Sequence, residues 1–356
     1  MRTKCTIKDL AAELHLSRNT VSKVLRGCDG VSEGTRKLVL EKAREMNYKQ
    51  APNKLFSREQ PSQKNGSILF LTRASYNNSD FWIKVLHGIN MVLNENNYNL
   101  VMYILSADEL EYSQFPASLY DRTVDGVILV DIYNPEICKK IIDFNIPTVF
   151  LEMPYQIDPF VGKADFITME NKTNIRKIVT QLIRQGVADI AFAGDISSAS
   201  AGAGFHERWD TVKSTMEDSG YVIHEKHCFL QETDEEFSDI PNIMTKLQRM
   251  DKLPAAYICG NDWVALNLMK AVQKLGYRVP EDILFVGFDD IEAAGKAIPS
   301  LTTVQTPKEY LGTIAAQKLI NRINHPQIPF EISYFSTRII IRQSTGNFID
   351  PKMLSE

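Results

Sequence analysis

The chain has 356 residues, of which 44% are hydrophobic, enough for two or three domains at roughly 150 residues each. No run approaches the roughly 20 apolar residues of a membrane helix, and the N-terminal MRTKCTIKDL lacks the apolar stretch of a secretion signal. The five cysteines are scattered without any CxxC spacing, which indicates reduced thiols rather than a disulfide framework or a zinc site. These features predict a cytoplasmic protein without a metal or other cofactor.

The net charge of −4 hides an asymmetry between the two ends of the chain. Residues 1–58 carry thirteen Lys/Arg against six Asp/Glu, a net of +7, so the remainder carries −11. A basic head on an acidic body is typical of a protein whose head binds nucleic acid. A merely solvated basic face is the alternative.

The first two helices are predicted from their end signals. Residues 6–14, TIKDLAAEL, open with a capping box in which Thr6 and Asp9 bond each other's backbone amides. A tight connection follows, and Ser17 is a plausible N-cap for a second helix that stops at Gly27.

A third helix is predicted from an N-cap at Ser32 to about Met46. Its candidate inner positions are Leu38, Leu40, Ala43 and Met46. Three short helices with a tight first connection form a helix-turn-helix unit. The predicted head spans residues 1–49, and residues 50–65 form a linker.

The second helix of such a unit enters the DNA major groove. Arg18, Asn19 and Ser22 lie on its outer face, where Arg can pair with guanine and Asn with adenine. Contacts to the phosphates, which position the helix without reading sequence, are predicted for Thr6, Thr20, Lys23 and Arg26. An ordinary amphipathic helix is the alternative.

From Gly66 onward, short apolar runs alternate with longer helical patterns. Buried strands separated by crossover helices predict an α/β fold of doubly wound parallel sheets, and about 280 residues favour two lobes. The predicted strands are residues 67–71, 98–105, 125–130, 147–151, 189–194, 255–260 and 282–288.

Polar residues follow several of these strands, at the edge where ligands bind in such sheets. Carboxylates, an amide and a guanidinium in one crevice suit a hydroxyl-rich ligand. The candidates are Glu152, Arg208, Asn261 and Asp289, with Asp262 and Asp290 as neighbours and Phe81, Trp82, Trp209 and Trp263 as an apolar wall. For each carboxylate, the alternative is a helix N-cap.

Other motifs are weak. Gly202-x-Gly204 does not fit a dinucleotide fingerprint, and no GxxxxGK[ST] is present. His224-x-x-His227 has no obvious third metal ligand. The strongest rival function is a doubly wound sugar-modifying enzyme using Glu152 and Asp289; an architectural DNA binder would not need the polar crevice.

Both ends of the chain resemble the lactose/galactose-repressor family of bacterial transcription regulators. The head TIKDLAAELHLSRNTVSKVLRGCDGVSEGTRKLVLEKAREMNY, the segment VGFDDIEAAGKAIPSLTTVQTPKEYLGTIAAQKLI and the late strand IIIRQST carry the resemblance. It implies a homodimer on a near-palindromic operator, and a core similar to periplasmic sugar-binding proteins, with two lobes, three crossovers and an effector in the cleft.

The resemblance also implies residue roles. Glu152 falls where many members have Asp, Arg208 matches an Arg that opens a helix, and Asn261 and Asp289 match ligand positions, while Arg18, Asn19 and Lys23 match DNA-contacting positions. The expected N-terminal lobe is about 66–163 and 292–325, and the C-terminal lobe about 164–291 and 326–345.

The linker departs from the family pattern. The Pro-Asn pair comes late, and no Leu stands where members wedge one into the minor groove. The candidate hinge residues are Pro52, Asn53, Leu55 and Phe56. The tail, residues 346–356, has no Leu heptad for a tetramerising coil.

Overall fold

The computed structural model describes residues 6–25, 30–46, 48, 66–73, 80–197, 202–350 and 352. The described helices are α1 (Ile7–Glu13), α2 (Arg18–Leu25), α3 (Glu33–Glu45), α4 (Asp80–Glu95), α5 (Ala107–Glu111), α6 (Ala117–Tyr120), α7 (Pro135–Ile142), α8 (Thr173–Arg184), α9 (Ala203–Asp218), α10 (Asp234–Ser238), α11 (Ile240–Gln248), α12 (Asp262–Lys274), α13 (Glu292–Lys296) and α14 (Lys308–Asn324). None of these helices is both long enough and apolar enough to cross a membrane.

The described strands are β1 (Gly66–Arg73), β2 (Tyr98–Leu105), β3 (Gly126–Val130), β4 (Thr148–Leu151), β5 (Asp165–Met169), β6 (Ile190–Ala193), β7 (Ala256–Cys259), β8 (Leu284–Val286), β9 (Thr303–Gln305), β10 (Ile332–Phe335) and β11 (Arg338–Ile340). Each of the seven predicted strands is present. The chain divides into two compact units, Met1–Lys64 and Asn65–Glu356.

The head is a three-helix unit with the predicted caps. Thr6 Oγ1 accepts from the amide of Asp9, whose carboxylate accepts from the Thr6 amide at 2.8 Å. The hydroxyls of Ser17 and Ser32 each accept from an amide three residues on. The head core consists of Leu10, Ala11, Val21, Val24, Leu25, Val39, Ala43 and Tyr48.

One inner position of α3 was predicted wrongly. Leu38 is 50% exposed, whereas its neighbour Val39 is fully buried. Val39 and Ala43 are four residues apart and therefore lie one above the other on the inner face of α3. Leu38 lies about 100° around the helix from that face.

The N-terminal lobe is a six-stranded, all-parallel sheet in the order β2-β1-β3-β4-β5-β10. Helices α4 and α14 cover one face with Val85, Ile89 and Leu311, and α7 covers the other with Ile137 and Ile141. Because both faces are covered, the central strands are apolar on both sides; every residue of β3 is buried.

The C-terminal lobe is built on β6-β7-β8, which are also parallel. Single parallel bridges, Val286 to Thr302 and Asp289 to Gln305, connect β8 to the segment of β9. Strand β9 pairs antiparallel with β11. The doubly wound parallel α/β architecture predicted from the sequence is confirmed in both lobes.

The expected lobe boundaries are wrong. Segments 165–169 and 332–335, assigned to the C-terminal lobe, form β5 and β10 of the N-terminal sheet, and β9 belongs with the C-terminal lobe. A strand belongs to the sheet that satisfies its backbone hydrogen bonds. Within the described residues, the chain therefore changes lobes in the short connections that follow β5, β9 and β10.

A buried ion pair anchors the late strand β10. The Arg322 guanidinium of α14 donates two hydrogen bonds to Asp165 of β5, at 2.9 and 3.1 Å, and Asp165 also accepts from the Glu331 amide at 2.9 Å. Ile349, placed in the tail by the sequence analysis, is 2% exposed and joins the main core cluster, so the core extends beyond residue 345.

Candidate functional site

Helix α2 presents a polar face on the head. Its inner residues Val21 and Val24 are fully buried, while Arg18, Asn19 and Lys23 are exposed. Ser17 caps the helix, so the exposed Arg and Asn occupy its first turn. This geometry leaves their donors and acceptors available to an external partner, as base reading in a groove requires.

The other described residues predicted to contact DNA are half-buried or already hydrogen-bonded within the head. Ser22 is half-buried. The Thr20 hydroxyl bonds to Ser17 Oγ at 2.8 Å, and the Thr6 hydroxyl donates to Asp9 at 2.7 Å, so both hydroxyls are used in helix caps. Arg26 and the hinge residues Pro52, Asn53, Leu55 and Phe56 lie outside the described residues.

In the core, the carboxyl ends of the two parallel sheets meet at a cleft, and the lobes touch directly there. The amide of Ala203, at the start of α9, donates to the Met153 carbonyl of the N-terminal lobe at 2.8 Å. Gly202 lies against the Tyr133 ring so closely that a Cβ at position 202 would be 2.8 Å from it. The rings of Tyr155 and His206 stack 3.9 Å apart. The lobes are therefore closed on this side of the cleft.

Arg208 lies at the base of this cleft and is 4% exposed. Its Nε and Nη2 donate to Asn171 Oδ1 at 3.1 and 2.7 Å, and Nη1 donates to the Gly260 carbonyl at 2.5 Å. The guanidinium carbon lies 3.6 Å from the centre of the Phe288 ring, in cation–π contact. Arg208 does not open its helix as expected, because α9 begins at Ala203 and Arg208 lies in its second turn.

Glu152 and Asp289 face this guanidinium from opposite lobes. Burial raises the pKa of Glu152 from 4.5 to about 7; Arg208 opposes this shift and the Asp289 charge adds to it. Burial also raises the pKa of Asp289 from 3.8 to about 6, against the attraction of Arg208 and Lys308. Both residues have positive φ, 70° and 107°, which is uncommon for non-glycine residues.

The neighbouring polar side chains make hydrogen bonds within the protein. Asn261 is the N-cap of α12, and its Oδ1 accepts from the Val264 amide at 2.9 Å. Asp262 is fully buried and accepts from Thr303 and from the Ile291 amide. Asp290 forms an ion pair with Arg342 at 2.6 Å and so braces the turn after β8.

The predicted apolar wall is only partly present. Trp209 is 6% exposed and packs beside Phe192 in the C-terminal core, so its assignment to the cleft is wrong: it follows Arg208 on α9 and points into the lobe. Phe81 is also buried, with its ring 6.0 Å from the Lys308 ammonium. Trp263 is 40% exposed in the first turn of α12, beside Asn261.

The sequence analysis missed three residues at the cleft. Asn171, in the connection after β5, holds Arg208 and also donates to Glu207 at 2.8 Å. Lys308, the first residue of α14, donates to the carbonyls of Asp289 and Asp290. Tyr133 follows β3. Only Tyr133 carried the signal used for the others, a polar residue just beyond a predicted strand.

His227, the second residue of the His-x-x-His pair, bonds to Asp251 at 2.9 Å. Among the described residues, no cluster of three or more His, Cys, Asp or Glu side chains is arranged to hold a metal ion.

Comparisons with known proteins agree with both parts of the chain. The sequence profile of the bacterial regulatory proteins of the lacI family matches residues 6–53, and that of a periplasmic binding protein-like domain matches residues 179–345. The chain is 30% identical over 344 residues to the probable HTH-type transcriptional repressor ExuR of Bacillus subtilis (strain 168), covering 95% of this chain and 98% of that one. It is 30% identical over 327 residues to the ribose operon repressor of Escherichia coli (strain K12), covering 91% and 94%.

Solved structures share the fold. The transcriptional regulator CelR in complex with cellobiose superposes with a TM-score of 0.70 at 22% identity, covering 96% of this chain and all of that one. The lac repressor dimer bound to operator and the anti-inducer ONPF gives 0.67 at 21% identity, covering 96% and 99%. The chain belongs to the lacI family of bacterial regulatory proteins. It is a DNA-binding transcriptional regulator with a periplasmic-binding-protein-like core.

The raised pKa of Glu152 predicts a pH-dependent stability. The folded state binds the Glu152 proton more tightly than the unfolded chain does. The contribution of this proton to the free energy of unfolding is therefore fully present below pH 4.5 and is lost as the pH rises through about 7. We expect Glu152→Gln to raise Tm relative to wild type by about one degree or more at pH 8, and by less at pH 5. Thermal unfolding monitored by calorimetry measures both values.

The exposed Glu217→Gln on α9 is the control, and should shift Tm equally at the two pH values. If Glu152→Gln behaves in the same way, the carboxyl at position 152 is not held in a desolvated cleft.

Proposed function

We propose that this regulator is a repressor that binds a near-palindromic operator as a homodimer and responds to a hydroxyl-rich small molecule, a sugar or sugar derivative, held between the lobes. The observation that carries the proposal is the approach of Glu152 and Asp289, one from each lobe, to a single buried guanidinium. A ligand that hydrogen-bonds to both carboxyls stabilises one arrangement of the two lobes over others.

For DNA, the support comes from the exposed face of α2. Arg18 and Asn19 are the two side chains whose geometry matches guanine and adenine edges, and both are exposed in its first turn. Lys23, further along the helix and also exposed, suits a phosphate. We assign the first two to base reading and Lys23 to backbone binding.

For the effector, the support comes from the chemistry of the cleft. Carboxylates accept hydrogen bonds from neighbouring hydroxyls, and the cleft offers Glu152 and Asp289, with Trp263 as an exposed aromatic surface. Asn261 is included through its amide nitrogen, since its oxygen is used in the cap. Related proteins are a ribose operon repressor and a regulator crystallised with cellobiose, which supports a carbohydrate.

We assign Glu152 and Asp289 to binding rather than to hydrolysis, because the basic head and the relatives are those of regulators. An operator-binding protein acts where chromosomal DNA lies, so we place it in the cytoplasm. Incubation with sugars should give saturable binding without turnover.

A second copy of the chain fits one exposed surface of the N-terminal lobe. Strand β2 is the edge of the six-stranded sheet, and its Met102 and Ile104 are 43% and 45% exposed on the face that α4 covers. On α4 itself, Ile83 and Met91 are 55% and 46% exposed. An apolar edge of this kind is a liability unless a partner covers it.

The base-reading assignment predicts different effects for different side chains of α2. Selection from a random duplex pool should yield a near-palindromic site for the wild-type chain. Arg18→Ala and Asn19→Ala should each cost about 1–3 kcal/mol at that site and relax preference at one position of each half-site, because each removes a bidentate base contact.

Lys23→Ala should weaken binding to all duplexes and lower the salt slope by about one, since it removes a phosphate contact. Titrations at several salt concentrations measure both effects. Unchanged base preference in the Arg18 and Asn19 variants would contradict the assignment.

The dimer surface predicts an effect on assembly. Ile104→Asp buries a charge at the proposed contact and should convert the dimer to a monomer in sedimentation equilibrium, with loss of cooperative binding to both half-sites. The matched control is Ile332→Asp on β10, at the opposite edge of the same sheet and 39% exposed. The control should remain dimeric; a dimeric Ile104→Asp would place the interface elsewhere.

A further inference from the structure

Three carboxylates around the cleft have a cationic partner. Asp290 pairs with Arg342 at 2.6 Å, Glu207 with Lys172 at 2.9 Å, and Asp131 with Arg73 at 2.8 Å. Glu152 and Asp289 differ from these. Among the described residues, neither has a Lys, Arg or His within ion-pair distance; Glu152 accepts one long bond, 3.3 Å, from the Thr168 hydroxyl.

The cations nearest to these two carboxylates are used on uncharged acceptors. The Arg208 donors bond to the side-chain oxygen of Asn171 and the carbonyl of Gly260, and its ring contact is with Phe288. The Lys308 ammonium donates to two backbone carbonyls. Arg208 attracts both carboxylates electrostatically but bonds to neither.

The two carboxylates are therefore hydrogen-bond acceptors without matching donors, so the cleft suits a ligand that supplies donors rather than acceptors. A hydroxyl of the ligand can donate one neutral hydrogen bond to a carboxylate. An ammonium has three donors and carries the opposite charge. A carboxylate or phosphate on the ligand would add acceptors to a site in which the donors of Arg208 and Lys308 are already hydrogen-bonded.

We infer that the effector is a hydroxyl-rich molecule carrying an amino group, an amino sugar or a similar polyol amine, with its ammonium between Glu152 of one lobe and Asp289 of the other. This inference rests on the proposed effector function of the cleft and specifies its ligand. By the same reasoning, a uronate or a sugar phosphate should bind more weakly.

The test compares sugars that differ in one substituent. D-glucosamine, D-glucose and D-glucuronate, and the corresponding D-galactose series, are titrated into the full-length protein by calorimetry at pH 7, where the sugar amine is largely protonated and Asp289, whose pKa is raised only to about 6, is largely ionised. In at least one series, the amino sugar should bind about tenfold or more tightly than its neutral parent, the ratio expected when a neutral hydrogen bond becomes a charged one. The uronate should bind most weakly.

Glu152→Gln and Asp289→Asn should each reduce the preference for the amino sugar, because each replaces a charged acceptor by a neutral one of similar shape. Glu217→Gln, an exposed carboxylate elsewhere on α9, should keep the wild-type preference. Circular dichroism and thermal unfolding establish that the variants are folded.

The outcomes separate this inference from the proposed function. If a neutral or acidic sugar binds tightest and changes operator affinity, the amino-group inference is wrong and the effector cleft stands. If no member of either series binds to a protein that still binds operator, the cleft is not the sugar site proposed for it, and both fail.

Discussion

A buried guanidinium needs hydrogen-bond and ring partners around it, and Arg208 obtains its partners from separate parts of the core. Asn171 reaches it from the connection after β5, Gly260 from the end of β7, and Phe288 from the segment after β8. A buried charge without such partners would be strongly destabilising. The positions of these three segments are consequently linked to one another through a single side chain.

The surroundings of Arg208 also connect the proposed effector site with the closure of the lobes. Asn171 lies in one of the three connections between the lobes, and Glu152 faces Arg208 from the other side of the cleft. The backbone bond from Ala203 to Met153 and the contact of Gly202 with Tyr133 hold the lobes together nearby. A ligand can change operator affinity only if it binds two closures of the lobes unequally. In the proposed site, contacts with both Glu152 and Asp289 would provide that inequality.

Local features were predicted well from the sequence. The caps at Thr6, Ser17 and Ser32 were found because a cap depends on residues within one turn. The candidate cleft carboxylates were found because a polar residue directly after a buried strand is a signal of short range. Both signals can be recognised in the sequence without knowledge of the tertiary structure.

The failures concern longer-range packing. The segments of β5 and β10 were not recognised as strands, so the lobe boundaries were misplaced. Trp209 was assigned to the cleft although its helix turns it into the core. Asn171 and Lys308 could not be found, because their roles depend on which segments the connections between lobes bring together.

The central claim is that one ligand, held by both lobes, shifts the protein between two states that bind operator differently. Thermodynamic linkage makes this coupling reciprocal. The direct measurement is the affinity of the tightest-binding sugar for the full-length protein, with and without saturating operator duplex. The account predicts that operator changes ligand affinity by the same factor, about 5- to 150-fold, by which the ligand changes operator affinity. A ligand whose affinity depends on Asp289 but is identical with and without operator would contradict it.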